Sequence, residues 1–210
     1  DPNTPMEETL KAMDDLVKQG KVRSIGCSNV SGWQMMKALS ISDANKWARF
    51  STLEAKYSPV LRDLENELIP LSVDQNVSIF AYSPLKGGFL SGKYDREKPW
   101  PKGARFPSKE AAGPWAVDYE MLYTIVDEMK RIAAERGVSV SDVALNYLLQ
   151  KPAVASLIIG VRNIDQLKAN LTASDWDLTA EEVAALDMVS RPAEMYPYMD
   201  QKMGFVVSNA

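Results

Sequence analysis

Four short strand-like segments separated by helical stretches constrain the fold of this chain more than any other sequence feature. Residues with strand character occur at 21–27, 50–53, 77–82 and 156–159, and helical periodicity fills the intervals between them. Parallel neighbouring strands need a long return connection, which a helix supplies, so this order predicts parallel strands joined by right-handed crossovers. The predicted class is therefore α/β, and a length of 210 residues favours a single domain over residues 1–210.

Capping residues and leucine spacing set the predicted helix boundaries. Thr4 predicts the N-cap of a first helix that ends at Gly20. Leucines at helical spacing predict another helix over residues 61–73, with Pro70 distorting its last turns.

Two segments carry no helical or strand period. Residues 83–117 are rich in glycine, proline and aromatic residues, and so long a loop predicts a lid or a binding loop. Its aromatic side chains, Trp100, Phe106 and Trp115 among them, either line a pocket or anchor the loop to the body of the protein. Residues 191–210 predict an irregular C-terminal arm.

The composition excludes several function classes. The chain contains no histidine, which removes histidine metal sites and histidine-dependent nucleophiles, and its net charge of −4 argues against a nucleic-acid partner. A single cysteine, Cys27, cannot form an internal disulfide, and residues 1–5 lack the pattern of a signal peptide. We therefore expect a reducing, cytoplasmic setting. No apolar run approaches the roughly 18 residues of a membrane span, so no membrane partner is expected.

The residues that follow each predicted strand carry the functional signal, because ligands of parallel α/β proteins bind beyond the carboxyl ends of the strands. Ser28 and Asn29 offer the donor and acceptor that suit a carboxamide. Tyr82 offers a flat face for a planar ring, and the glycine-rich loop at Gly87 lets backbone N–H groups approach a pyrophosphate. Arg162, near a predicted helix start, can bind a phosphate in bidentate fashion. A dinucleotide satisfies all four features.

Each of these residues also has a simpler interpretation. A serine and asparagine after a strand commonly form only a turn, and Tyr82 alone is typical of a half-buried core aromatic. Glu54 and Lys56 would ordinarily be a solvated pair at a strand end, and Cys27 a small packing residue. Only the order of the features taken together favours a dinucleotide.

That order resembles the C-terminal portion of the aldo-keto reductases. Residues 22–29 resemble the family's fifth-strand motif, residues 80–94 its seventh-strand motif and long loop, and residues 159–170 its clamp for the 2′-phosphate and adenosine. The resemblance covers nearly the whole chain. It implies a parallel (β/α) barrel of TIM type, present here as a C-terminal half-barrel of about four strands.

The resemblance also implies a binding role for each matching position. Ser28 and Asn29 would hold the nicotinamide carboxamide, and Tyr82 would stack on the ring. Glu54 stands where the family commonly has a glutamine that also binds the carboxamide, and an ionised carboxylate can accept but not donate a hydrogen bond. The pyrophosphate would be lined by Ser83, Leu85 and Gly87, and the 2′-phosphate and adenine held by the segment with Gly160, Arg162, Gln166 and Asn170. This clamp favours NADP over NAD.

The family's catalytic aspartate, tyrosine, lysine and histidine belong to its first four strands. Residues 1–10 resemble the helix that follows that histidine, so we expect a truncated form without the catalytic segment, and we assign no catalytic or metal-ligating residue. The implied activity is NADPH-dependent reduction of a small carbonyl compound to an alcohol, once the missing half is supplied.

Four strands from one half of a barrel would leave two open edges and an uncovered apolar interior. We therefore expect self-association or pairing with a separate N-terminal fragment. Two other functions stay open: a non-catalytic nucleotide-binding or assembly module, and a hydrolase of a rearranged half-barrel. The hydrolase would use a serine with a lysine as base, either Ser83 near Lys86 or Ser91 near Lys93.

Overall fold

The architecture was taken from a computed structural model, which describes residue 1 and residues 3–202. Its strands form one parallel sheet in the order β1-β2-β3-β4. The strands are β1 (Ile25–Ser28), β2 (Phe50–Lys56), β3 (Ser78–Tyr82) and β4 (Val154–Ile158). Each strand pairs with the next one along the chain, which confirms an α/β fold with parallel strands.

Helices occupy the connections between the strands and follow the last strand. The α-helices are α1 (Met6–Lys18), α2 (Gly32–Asn45), α3 (Leu68–Asp74), α4 (Tyr119–Arg136), α5 (Val140–Leu149), α6 (Ile164–Leu171), α7 (Ala180–Val189) and α8 (Tyr198–Lys202). Short 3₁₀ turns lie at Asp63–Glu65, Lys86–Ser91, Glu110–Trp115 and Thr172–Ser174. None of the helices described is long and apolar enough to cross a membrane.

Two predicted helix boundaries were wrong. Pro5, not Thr4, is the N-cap residue of α1, and the Thr4 hydroxyl donates to the Asp1 carboxylate instead. The helix predicted over residues 61–73 is replaced by a 3₁₀ turn and by α3, which begins at Leu68. This later start places Pro70 in the first turn, where a missing backbone donor is tolerated.

Residues 83–117 and 191–210, which show no helical or strand periodicity in the sequence, contain some local structure. Both 3₁₀ turns Lys86–Ser91 and Glu110–Trp115 lie in the predicted loop 83–117. Phe89, Tyr94 and Phe106 in this loop are buried, and the Phe89 and Phe106 rings stack with centroids 5.0 Å apart, so these aromatics anchor the loop. Helix α8 lies within the arm expected to be irregular, and residues 203–210 lie outside the described residues.

The core lies on one face of the sheet. Leu53 and Ala55 of β2 are buried against Met35 and Leu39 of α2. Ile79 and Ala81 of β3 belong to a larger cluster with α4 and α5, which contribute buried residues such as Ile125, Met129, Val143 and Tyr147. Removal of this apolar surface from water holds the helices against the sheet.

The opposite face, which we call the open face, carries the alternate side chains of each strand. One row across the sheet pairs Ser28, Glu54, Phe80 and Ser156, and all four are exposed. Among the described residues no element covers this row, and its side chains are mixed rather than apolar. The apolar interior expected from the sequence is wrong at this row because hydroxyls and a carboxylate alternate with Phe80.

Candidate functional site

A cleft of about 780 Å³ opens at the carboxyl ends of β3 and β4. It gathers most of the predicted cofactor residues. Those that line it are Tyr82, Ser83, Leu85, Gly87, Gly160, Arg162, Gln166 and Asn170. The remaining three, Ser28, Asn29 and Glu54, lie next to it on β1, the following turn and β2. Residues separated by up to 88 positions in the chain thus meet at one edge of the sheet.

A side-chain hydrogen bond links the turn after β1 to the end of β3. The Tyr82 hydroxyl donates to Oδ1 of Asn29 at 2.8 Å. The Asn29 backbone N–H donates to the carbonyl of Glu54 at 3.3 Å, so β2 is tied into the same arrangement. Tyr82 is half-buried, which leaves part of its ring accessible beside the amide of Asn29. The ends of β1 and β3 therefore present an aromatic face and an amide together, tied to β2 through the backbone of Glu54.

The turns that carry these residues adopt an unusual backbone. Asn29, Ser83 and Lys86 have φ values of 56°, 57° and 47°, in the left-handed region that non-glycine residues rarely occupy. Such conformations cluster at functional sites because the surrounding structure must hold them in place. Gly87, with φ 68°, continues the turn, and a Cβ there would lie 2.8 Å from Cε2 of Phe106. The loop needs a glycine at this position for both its backbone conformation and its packing.

Basic side chains gather at the far side of the cleft, where α6 begins. The Arg162 backbone N–H donates to Oε1 of Gln166 at 2.9 Å, and Asn163 caps α6 by accepting from the Gln166 N–H. The Arg162 guanidinium donates to the carbonyl of Gly103 at 3.2 Å, which connects the long loop to this end of the cleft.

Two further cations line this cleft, Lys93 and Arg105, which the sequence analysis did not include among the cofactor residues, although it considered Lys93 as a hydrolase base. Burial lowers the pKa of Lys93, and the charge of Arg162 lowers it further. Within the part of the chain that the structure describes, Lys93, Arg105 and Arg162 form no salt bridge. Three cations without a carboxylate partner suit the phosphates of a nucleotide. Their positions after a glycine-rich loop could have indicated this role.

The tyrosines buried in the helix layer are poor acids for carbonyl chemistry. Tyr57 donates to Oε1 of Glu65 at 2.6 Å, and Tyr147 donates to Asp187. Burial, then the neighbouring carboxylate, raises the pKa of Tyr57 well above its ordinary range. Burial likewise raises the pKa of Tyr147. Neither hydroxyl lines the cleft.

The hydrolase alternative finds no support in the arrangement of serine and lysine. The Ser91 hydroxyl donates to the Gly88 carbonyl at 2.7 Å, and no serine–lysine side-chain hydrogen bond occurs among the described residues. Burial raises the pKa of Cys27 to about 11, which matches a packing residue rather than a nucleophile. Among the same residues, no group of three acidic, cysteine or histidine side chains could hold a metal ion.

Comparison with known proteins gives one family. A family model described as the aldo/keto reductase family matches residues 1–191. Versiconal hemiacetal acetate reductase of Aspergillus parasiticus is 28% identical over 94% of this chain and 57% of its own length. An aldo-keto reductase of Strobilurus tenacellus is 30% identical over 97% of this chain and 59% of its own length. Aflatoxin B1 aldehyde reductase member 2 of Homo sapiens is 28% identical over 83% of this chain and 52% of its own length.

A solved structure gives the same relationship. A thermostable aldo-keto reductase in complex with the inhibitor epalrestat superposes with a TM-score of 0.67 at 27% identity, over 90% of this chain and 56% of that one. The chain thus spans between 52% and 59% of the length of the relatives named above.

Proposed function

The chain belongs to the aldo/keto reductase family, and from this premise we propose that it binds NADPH as part of an oxidoreductase that reduces a carbonyl to an alcohol. Family membership supports oxidoreductase activity in general. In this proposal β1–β4 correspond to the fifth to eighth strands of the family barrel, so the described sheet is its C-terminal half. A small carbonyl compound is the proposed substrate.

The observation that carries the proposal is the convergence of the predicted residues on one cleft. Tyr82 offers the face of its ring, and its hydroxyl fixes the amide of Asn29 beside it. Lys93, Arg105 and Arg162 supply positive charge to the same cleft. An aromatic face at one end and unpaired cations at the other suit a dinucleotide that carries a nicotinamide ring and phosphates.

The residues present fit this cofactor, which when bound would supply the hydride. Tyr82 would hold the ring by stacking, and Asn29 with Ser28 would orient the carboxamide. Glu54 is exposed on the open face and can accept from the carboxamide NH₂ while ionised. Arg162 would favour NADP over NAD because its guanidinium can bind the 2′-phosphate in bidentate fashion.

We assign the proton donor of the reduction to no residue of this chain. Tyr57 and Tyr147 are held by carboxylates in the helix layer, and the sequence has no histidine. We propose that nucleotide binding is what this chain contributes by itself, and that reduction requires the family's catalytic groups from its first four strands.

A second candidate function is an assembly module, which the open face favours. Phe80 and Ile158 are exposed there, and β1 and β4 form the two edges of the described sheet. We propose that a second copy of this chain, or a segment that supplies the first four strands, covers this face and pairs these edges. The mass in solution by light scattering, with and without NADPH, tests this association.

Titration calorimetry with NADPH and NADH tests the first proposal, and an aldehyde is then added to measure NADPH oxidation. We expect NADPH to bind more tightly than NADH. Binding without oxidation is the expected result for this chain by itself, and oxidation by this chain alone would contradict the need for catalytic groups from the first four strands. Absence of binding by a folded protein would refute the proposed function.

A further inference from the structure

Two lysines surround Trp115 next to the Tyr82 ring. Nζ of Lys86 lies 5.8 Å from the Trp115 ring centroid. Nζ of Lys56 lies 5.6 Å from the same ring and 5.9 Å from the Tyr82 ring. These distances are within the range of cation–π attraction. Arg105, which lines the cofactor cleft, lies closer still, with Cζ 4.5 Å from the same ring centroid. Three positive charges therefore surround one indole beside the proposed platform for the nicotinamide, and we call the two lysines with Trp115 the Lys56–Lys86 site.

The buried position of Lys86 is unfavourable for the stability of the folded chain. Its side chain is only 6% exposed, and within the described residues it has neither a side-chain hydrogen bond nor a carboxylate partner. Burial lowers its pKa, and the charge of Lys56 lowers it further. Its backbone also lies in the left-handed region. A buried ammonium without a counter-ion destabilises a fold, and an anionic ligand would offset this.

The two lysines of the Lys56–Lys86 site stand outside the cofactor cleft, although Arg105 of that cleft contacts the same Trp115 ring. Leu85 and Gly87, on either side of Lys86, line that cleft, whereas neither lysine of the site does. Lys56 is the register partner of Tyr82 on β3 and stands two residues after Glu54, on the open face. Through Tyr82 the two lysines thus adjoin the ring end of the proposed nucleotide, and Arg105 lies between Trp115 and the cleft proposed for its phosphates.

We propose that the Lys56–Lys86 site binds a carboxylate of the carbonyl substrate, so that the preferred substrates are aldehydes or ketones that also carry a carboxylate. The inference rests on the proposed function, because the Tyr82 ring next to Lys56 is the proposed platform for the nicotinamide. The two ammonium groups would bind the carboxylate, and the Trp115 face would pack against the carbon skeleton of the substrate. The site would therefore select substrates by charge.

A matched pair of ligands tests the proposal without requiring turnover. The dissociation constants of 4-carboxybenzaldehyde and of its uncharged methyl ester are measured by calorimetry, with and without NADPH. We expect the carboxylate to bind about tenfold more tightly than the ester, as loss of a charged hydrogen bond would predict. Lys86→Met and Lys56→Met should each remove most of this preference and leave the affinity for the ester and for NADPH unchanged.

Two further variants distinguish the effect of the Lys86 charge on ligand binding from a general effect of substitution in this loop. Lys86→Arg keeps the charge and should retain the preference, and Lys98→Met removes an exposed lysine of the same loop and should change nothing. Equal affinity of the wild-type protein for acid and ester would overturn the proposal. So would a loss of NADPH affinity in Lys86→Met, which would assign Lys86 to the cofactor phosphates. Failure of NADPH to bind would refute the proposed function instead. The preference for the acid over the ester, measured without nucleotide, would then still test whether the two lysines bind a carboxylate.

Discussion

Arg62 is expected to stabilise the folded chain more than any exposed arginine does. Its guanidinium is 8% exposed, and Nε and Nη2 each donate to Glu65 at 2.7 Å. Nη1 donates to Oγ of Ser190 at 2.7 Å, and Nη2 lies 3.0 Å from the Asp187 carboxylate. This group links the connection after β2 to the end of α7.

Arg62→Ala should lower the free energy of unfolding by about 3 kcal/mol. Breaking a buried ion pair typically costs ~3–5 kcal/mol, and the low end applies here because Glu65 is 23% exposed and keeps the hydrogen bond from Tyr57. The control is Arg131→Ala, which removes an arginine that pairs with Glu128 and Glu135 but is 47% exposed on α4. It should cost less than about 1 kcal/mol. Urea unfolding followed by circular dichroism measures both variants.

The pH dependence of unfolding gives an independent check. Burial raises the pKa of Glu65, but hydrogen bonds from Arg62 and Tyr57 outweigh burial and hold this pKa below its ordinary value. The stabilisation is therefore present at neutral pH and is lost as the pH falls through the lowered folded-state pKa. Without Arg62 the pKa should rise, so the stability gap between variant and wild type should narrow on acidification. This reasoning would be refuted if Arg62→Ala and Arg131→Ala lowered the free energy of unfolding equally. It would also be refuted if the difference in stability between Arg62→Ala and the wild type did not change with pH.

Three substitutions in or beside the proposed cofactor cleft have distinct expected outcomes. Glu54→Gln should increase NADPH affinity about threefold, because an amide can both donate to and accept from the carboxamide; calorimetry showing weaker binding would contradict the assigned role. Arg162→Ala should weaken NADPH binding about tenfold and leave NADH binding nearly unchanged, and equal effects on both nucleotides would remove the argument for a 2′-phosphate contact. Gly87→Ala should lower stability by about 1–2 kcal/mol in urea unfolding, because its positive φ and the nearby Phe106 ring both oppose a Cβ. A neutral Gly87→Ala variant would show that the loop repacks freely.

The strand-end residues could be predicted because their positions follow from local pattern. Ser28, Tyr82 and Arg162 each stand at or just beyond a segment with strand character, and parallel strands bring such ends to one edge of a sheet. Local pattern failed over residues 61–73, where leucine spacing predicted one helix. There the chain makes a 3₁₀ turn preceded by Arg62, whose guanidinium contacts Asp187 and Ser190 at the end of α7, more than 120 positions away.

By itself the sequence determined the α/β class, the parallel strands and several of the strand-end residues that meet at the cleft, because strand propensity, helix periodicity and turn chemistry are local properties. Only the tertiary structure decided which charges are buried and what they contact. From the sequence, Lys56 is interpreted as part of a solvated pair and Lys86 as a candidate hydrolase base. Strand register and the folded long loop bring both to Trp115. The mixed polarity of the open face was likewise decided by register, because pairing sets which side chains of neighbouring strands form one row.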